Sequence, residues 1–301
     1  MHNSSLRSAW HRDPATNHSA NSCTATDHPH LLALSDLHTH YEENRQIAGA
    51  LRPQHPDDWL LVPGDCGEFI DDVLETLAGL AARFSRVIWV PGNHELWNHP
   101  RDPKQLRGTD RYDALVEACR EIGVLTPEDP FPIWLEAGQA TYVAPTFVLY
   151  DYSFHSPEIS SKTAHEQAVA AHHVLVDDYL LDPHPYPTRE QWCRERVAYT
   201  EGRMSALVPD RPITVVNHYP LHRLPTRRMY SPHLPLWCGT SLTEDWHRRF
   251  AIDTVVYGHL HMPFSEVIDG VRYEEVSLGY PREWGERPGV PAMRRVRCGG
   301  L

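Results

Sequence analysis

The sequence predicts an α/β fold, and three features carry that expectation. Apolar runs of strand length recur along the chain, segments with helical spacing of apolar residues lie between them, and the strand-like runs end in polar residues. Runs apolar at every position suit a sheet covered on both faces.

Leu31-Leu32-Ala33-Leu34 is the first such run and leads into Ser35-Asp36-Leu37-His38. Trp59-Leu60-Leu61-Val62 follows and leads into Pro63-Gly64-Asp65. Phe69, Val73, Leu77, Leu80 and Phe84 recur at helical spacing and predict a helix laid on the sheet. Val87-Ile88-Trp89-Val90 predicts a third strand, ending in Gly92-Asn93-His94-Glu95. Tyr112, Leu115, Val116, Cys119 and Ile122 predict a second helix, with Gly123 as its stop.

The rhythm breaks from about Phe147 to Pro212, which reads as a helical insertion within one domain spanning residues 30–301. Tyr150, Tyr152 and Phe154 alternate as in a strand with one buried face. Thr163-x-x-Glu166 resembles a capping box for a helix that Pro183 must end, and Thr188-x-x-Gln191 one for a second helix. Strands resume with Ile213-Thr214-Val215-Val216, leading into Asn217-His218, and Thr254-Val255-Val256-Tyr257, leading into Gly258-His259-Leu260-His261.

Composition narrows the function. Among 301 residues, 41% are hydrophobic and 23% charged, as in a soluble globular protein. A net charge of -12 disfavours non-specific binding to nucleic-acid backbones and to anionic membranes. No apolar run has the length of a membrane span and no secretion signal is evident, so the expected location is cytoplasmic. Residues 1–29 are polar and read as a flexible arm; its histidines (His2, His11, His18, His28) could bind metal, but so polar and unanchored a segment favours a plain solvated reading. Cys23, Cys66, Cys119, Cys193, Cys238 and Cys298 have no CxxC spacing and are expected as free thiols. Cys66 adjoins Asp65, but no basic partner for a catalytic thiol is identifiable.

Each strand-end motif is weak alone; the set is not. Asp36 and His38, Asp65, Asn93 and His94, His218, and His259 with His261 all follow strand-like runs. Carboxylate, imidazole and amide oxygen suit divalent ions such as Mn, Fe, Zn or Ni, and the absence of cysteine disfavours a structural zinc site. So many ligands fill two sites only if one group bridges, as in two-metal hydrolytic centres with ions ~3.5–4 Å apart.

Asp36-x-His38, Gly64-Asp65, Gly92-Asn93-His94-Glu95, Asn217-His218 and Gly258-His259-Leu260-His261 together resemble the calcineurin-like dinuclear metallophosphoesterases over roughly residues 31–280. The resemblance implies an αββα sandwich of two mixed sheets flanked by helices. It implies one divalent ion on Asp36, His38, Asp65 and His261, and another on Asp65, Asn93, His218 and His259. It further implies attack on phosphorus by a hydroxide lying between the ions. His94 is implied to be the general acid at the leaving oxygen, so Asn93 and His94 would both border the substrate.

One departure stands out. Family members such as the protein phosphatases carry Gly-Asp-x-x-Asp, whereas Glu68 stands at the second acidic place here. Glu68 either pairs with His94 or simply occupies the first turn of the next helix. The departure disfavours a protein phosphatase.

The substrate expected is a small phosphorylated molecule cleaved by a phosphodiesterase. A phosphomonoesterase acting on a nucleotide or phosphorylated metabolite is the alternative, and an inactive scaffold a more remote one. Arg223, with Arg227 and Arg228, is a candidate phosphate clamp or a surface arginine. Trp237 reads as core, and the place of Arg282 after Gly279-Tyr280-Pro281 is open, as are metal identity and oligomeric state.

Overall fold

A computed structural model describes residues 28–297 except 137, 174, 210 and 286–292. In it the apolar runs become two mixed sheets. The first has the order β10-β1-β2-β3: β1 (Leu31–Ala33), β2 (Trp59–Val62) and β3 (Arg86–Trp89) are parallel, and β10 (Arg294–Arg295) pairs antiparallel with β1. The second has the order β4-β5-β6-β7-β9-β8. Its centre is parallel, made of β5 (Gln139–Pro145), β6 (Ile213–Val216), β7 (Ile252–Tyr257) and β9 (Val271–Glu275). Its antiparallel edges are β4 (Ile133–Glu136) and β8 (Phe264–Ile268).

Side-chain alternation assigns the layers. Leu31, Ala33, Leu61 and Ile88 of the first sheet meet Val143, Val216 and Val256 of the second. The intervening Leu32, Leu60, Val62, Val87 and Trp89 face outward. They are covered by Val73, Leu77 and Leu80 of α2 (Ile70–Ala81), Leu115 and Cys119 of α4 (Gly108–Glu121), and Ala48 of α1 (Glu42–Ala50). On the far face of the second sheet, Tyr142, Val215, Val255 and Tyr257 join Trp192, Val197 and Met204 of α7 (Arg189–Ser205) and Trp246 of α8 (Trp246–Arg249). The layers are therefore helix, sheet, sheet, helix, as the family resemblance implied. The expected stop of α4 is in place, with Gly123 in the left-handed region at φ +77°.

Among the described residues, three helices lie between β5 and β6: α5 (Ser161–Ala170), α6 (Asp177–Leu180) and α7. Thr188 caps α7 through the Gln191 N–H, as its sequence suggests. Two local expectations are corrected. The cap of α5 is Ser160, which accepts from the Thr163 N–H, so the helix starts earlier than Thr163-x-x-Glu166 implied; it ends in a turn at Ala170, well before Pro183. Tyr150, Tyr152 and Phe154 form no strand. All are buried in irregular chain, with Tyr152 left-handed at φ +61°; Tyr150 packs on Tyr219 and Tyr152 on Trp237, so the alternation reports burial among loops rather than a pleat.

Cys66, Cys119, Cys193 and Cys238 are free and buried; Cys23, Cys298 and nearly all of the polar arm lie outside the described residues. No helix among the described residues is long and apolar enough to cross a membrane.

Arg111, on α4, is the one fully buried arginine among the described core residues. It donates to the Glu95 carbonyl (2.6 Å), the Glu68 carbonyl (2.7 Å) and the Asp102 carboxylate (2.6 Å). Replacing it strands a buried carboxylate and two carbonyls. Arg111→Met is expected to lower stability by about 3–5 kcal/mol in urea unfolding; a loss under 1 kcal/mol would show that this network is dispensable.

Candidate metal centre

The polar residues that follow β1, β2, β3, β6 and β7 meet at the carboxyl ends of those strands. The chain reaches them by unusual backbone: Asp36, His38, Asp65, His259 and His261 all have positive φ, between 41° and 69°. Non-glycine residues seldom adopt this region, and clusters of them mark functional sites. Two glycines allow the loops to touch. A Cβ on Gly64 would lie 2.5 Å from the Gly92 nitrogen, and one on Gly92 would lie 2.1 Å from Asp65 Oδ1.

Glu95, from the short helix α3 (Asn93–Leu96), locks the two loops together. Its carboxylate accepts from the N–H groups of Asp65 (2.8 Å), Cys66 (2.6 Å) and Gly92 (2.8 Å). A fully buried charge is tolerated because three backbone donors satisfy it.

Two groups of donor atoms result. Asp36, His38, Asp65 and His261 bring one ligand atom each within 4.8 Å of one another, and so do Asp65, His218 and His259. Asp65 belongs to both. In the first group, His261 Nε2 lies 3.0 Å from Asp36 Oδ1 and 3.2 Å from His38 Nε2. In the second, His218 Nε2 lies 3.1 Å from Asn93 Oδ1, 3.2 Å from His259 Nδ1 and 3.5 Å from Asp65 Oδ2.

The outer partners of the imidazoles determine which nitrogen each turns inward. His218 Nδ1 donates to the Pro63 carbonyl (2.7 Å), His259 Nε2 to the Trp237 carbonyl (3.0 Å) and His261 Nδ1 to the Glu283 carboxylate (2.8 Å). Each second nitrogen faces the cluster, which is how metal-binding histidines are oriented. The Asn93 amide is turned likewise: its Nδ2 donates to Asp177 Oδ1 (2.9 Å), leaving Oδ1 toward His218.

The electrostatics fit cations. Burial alone would raise Asp36, but His261 and then His218 and His38 hold it well below the usual carboxylate range. Burial, Glu95 and Asp36 push Asp65 up, which reports crowded negative charge. Burial drives His38 and His259 well below the ordinary imidazole range, helped by His94 and His218 respectively, so both are neutral donors. His261 differs: despite burial, Asp36 and Glu283 raise it to about 10, so an ion on its Nε2 takes the place of a proton. The donors present thus suit divalent cations in number, type and orientation.

His94 stands beside this cluster. Its Nε2 lies 3.9 Å from Asp65 Oδ2, its Nδ1 3.5 Å from Glu68 Oε1, and its ring rests on Trp97 at 3.7 Å between centroids. The neighbouring His94 ring holds Glu68 below its usual range, so Glu68 faces His94 as a carboxylate. Arg223 is placed elsewhere: its fork closes on Glu244 at 2.7 and 2.8 Å, which satisfies the charge that a substrate anion would need. Trp237 is core, and burial pushes the Cys66 thiol far up, away from nucleophilic use.

Sequence reading missed the outer supports. Asp177 of α6 holds both Asn93 and the Trp97 indole (2.7 Å), Glu283 holds His261, and the Ser277 hydroxyl donates to Asp36 (2.8 Å). None follows an apolar strand run of its own, and only the folded chain brings them near.

Asp65→Ala and Asn93→Ala are expected to retain the circular dichroism spectrum of the parent while losing stoichiometric manganese in elemental analysis. Asp177→Ala leaves every ligand in place but frees the Asn93 amide. Competition with a chelator should therefore show manganese affinity reduced roughly 10–100-fold, the usual effect of removing a partner behind a ligand; unchanged affinity would remove Asp177 from the centre.

Comparison with known proteins gives the family and the fold. The model of the calcineurin-like phosphoesterase family matches residues 29–263. The [acyl-carrier-protein] phosphodiesterase PptH of Mycobacterium tuberculosis is 50% identical over 270 residues, covering 89% of this chain and 83% of that protein. The crystal structure of that organism's phosphopantetheinyl hydrolase (PptH) superposes with a TM-score of 0.87 at 49% identity, over 90% of this chain and 96% of the other. The chain belongs to the calcineurin-like phosphoesterases, the metal-dependent hydrolases of phosphate esters.

Proposed function

We propose that this chain is a phosphodiesterase that hydrolyses the link between phosphopantetheine and an acyl carrier protein. The observation that carries the reading is the shared Asp65 in two overlapping donor groups, in a chain half identical to an acyl-carrier-protein phosphodiesterase. In this reading the substrate is a phosphorylated group borne on a protein, where the sequence suggested a free small molecule. Asp36, His38, Asp65 and His261 would hold one divalent ion, and Asp65, Asn93, His218 and His259 the other.

When bound, the ions neutralise the phosphodiester and make a water acidic enough to attack near neutral pH. Hydrolysis would join a water oxygen to phosphorus, release that water's proton to solvent and break the bond from phosphorus to the carrier-side oxygen. An alkoxide is a poor leaving group, so the departing oxygen needs a proton. His94 is suited to give one: Nε2 faces the centre, Glu68 holds Nδ1, and Trp97 fixes the ring plane. Asp177 steadies both halves of the site, through Asn93 on one side and Trp97 on the other.

The direct test incubates the manganese-loaded protein with phosphopantetheinylated carrier protein and follows the carrier by mass spectrometry. Conversion to the unmodified carrier is expected; an intact carrier, with faster release of nitrophenol from 4-nitrophenyl phosphate than from its bis ester, would replace this reading with a phosphomonoesterase. His94→Ala is expected to slow carrier cleavage by ~10²–10⁴. Its effect on bis(4-nitrophenyl) phosphate should be far smaller, because nitrophenolate leaves without a proton. Equal losses on both substrates would mean that His94 is not the acid.

A further inference from the structure

The turn after β9 sets a phenol against the first donor group. Gly279, at φ +81°, makes the turn, and a Cβ there would come within 2.7 Å of Glu283 Oε2. Asn44, fully buried, donates to the carbonyls of Leu37 (2.8 Å) and Gly279 (3.0 Å), and so ties this turn to the loop bearing Asp36 and His38. Glu283, in α9 (Pro281–Trp284), accepts from the Tyr280 N–H (2.8 Å) with the same oxygen that accepts from His261. The position of Tyr280 is thus set by groups that also position the Asp36–His38 loop and His261.

Its ring lies 4.6 Å from His38, tilted by 30°, and 4.7 Å edge-on from His261. The Arg282 guanidinium stands 5.0 Å from the ring centroid. The hydroxyl makes no hydrogen bond among the described residues. Ring packing against His38 would be served equally by phenylalanine. Tyr280 is half-buried and its hydroxyl is not among the enclosed polar atoms, so this donor, on a ring packed against two residues of the first donor group, is open to an acceptor that a ligand brings.

We propose that Tyr280 is a substrate-contacting residue whose hydroxyl donates a hydrogen bond to a non-bridging oxygen of the phosphoryl group. The inference rests on the phosphoesterase reading and is independent of the carrier-protein substrate.

Tyr280→Phe keeps the ring and removes the donor. The manganese-loaded variant and parent are compared for metal content, for inorganic phosphate binding by calorimetry, and for hydrolysis of bis(4-nitrophenyl) phosphate and of the phosphopantetheinylated carrier. Full metal content, phosphate affinity weaker by roughly 10- to 100-fold and a similar fall in kcat/KM are expected, the strength of a hydrogen bond to a charged group. Parental phosphate affinity and diester turnover would overturn the assignment. Loss of metal from Tyr280→Phe would also overturn it, since the residue would then act through His38 and His261. If the variant shows the expected losses while neither protein cleaves the carrier, the carrier substrate fails and the Tyr280 contact stands.

Discussion

One buried carboxylate sets the geometry on which the centre depends. Glu95 gathers the amides of Asp65, Cys66 and Gly92, which belong to the loops after β2 and β3. Without that grip, the loops would have no reason to sit in the contact that Gly64 and Gly92 permit. Asp65 is then free to present both oxygens: Oδ1 accepts from the His94 N–H at 3.0 Å, and Oδ2 points toward His218 and His38. A carboxylate shared between two groups of donors is therefore a property of the pair of loops, clamped from behind, rather than of Asp65 alone. Arg111 extends the clamp by holding the Glu95 and Glu68 carbonyls together.

The same logic governs the imidazoles. A neutral histidine has one lone pair, and whether it faces inward depends on what the other nitrogen does. Here a carbonyl, a second carbonyl and a carboxylate fix three of the rings. Those partners come from the loop after β2, the loop before α8 and α9, so the orientation of each ligand is paid for by a different part of the fold. The first donor group has two carboxylates, Asp36 and Asp65, whereas the second has one in Asp65 and is otherwise imidazole with the Asn93 amide beside it. The two positions thus differ in charge, and two ions bound there would not be equivalent.

Much of this was legible in the sequence, for a physical reason. Strands covered on both faces must be apolar throughout, so the polar residues at their ends stand out; Asp36, His38, Asp65, Asn93, His94, His218, His259 and His261 were all found in that way. The division into two sheets was not readable from pattern, because Leu31–Ala33 and Ile213–Val216 look alike whichever sheet they join. Nor was β10, whose two arginines pair with β1 by backbone alone. Tyr150, Tyr152 and Phe154 misled because burial in irregular chain mimics the alternation of a strand. Asp177 and Glu283 were invisible for a different reason. An acidic residue near a helix start is ordinary, and its partner lies 84 positions away in one case and 22 in the other.

The helices between β5 and β6 are joined to the centre rather than added beside it. Asp177 and Asp178 are adjacent in α6 and face opposite duties. Asp177 reaches inward to Asn93 and Trp97, while Asp178 accepts from Tyr152 (3.0 Å) and from the Trp237 indole (3.2 Å) and lies 3.6 Å from Arg189 of α7. Arg189 in turn donates to the Asp177 carbonyl (2.8 Å) and to Tyr152 (2.7 Å), and the Trp237 carbonyl holds His259. A shift of α6 by less than an ångström would lengthen the bond that turns the Asn93 amide, and hydrogen bonds weaken steeply with such changes. Packing among these helices is consequently felt at Asn93 beside the second donor group, at the ring behind His94 and, through Trp237, at His259. Changes in that segment that never touch substrate therefore act on the chemistry through these three contacts.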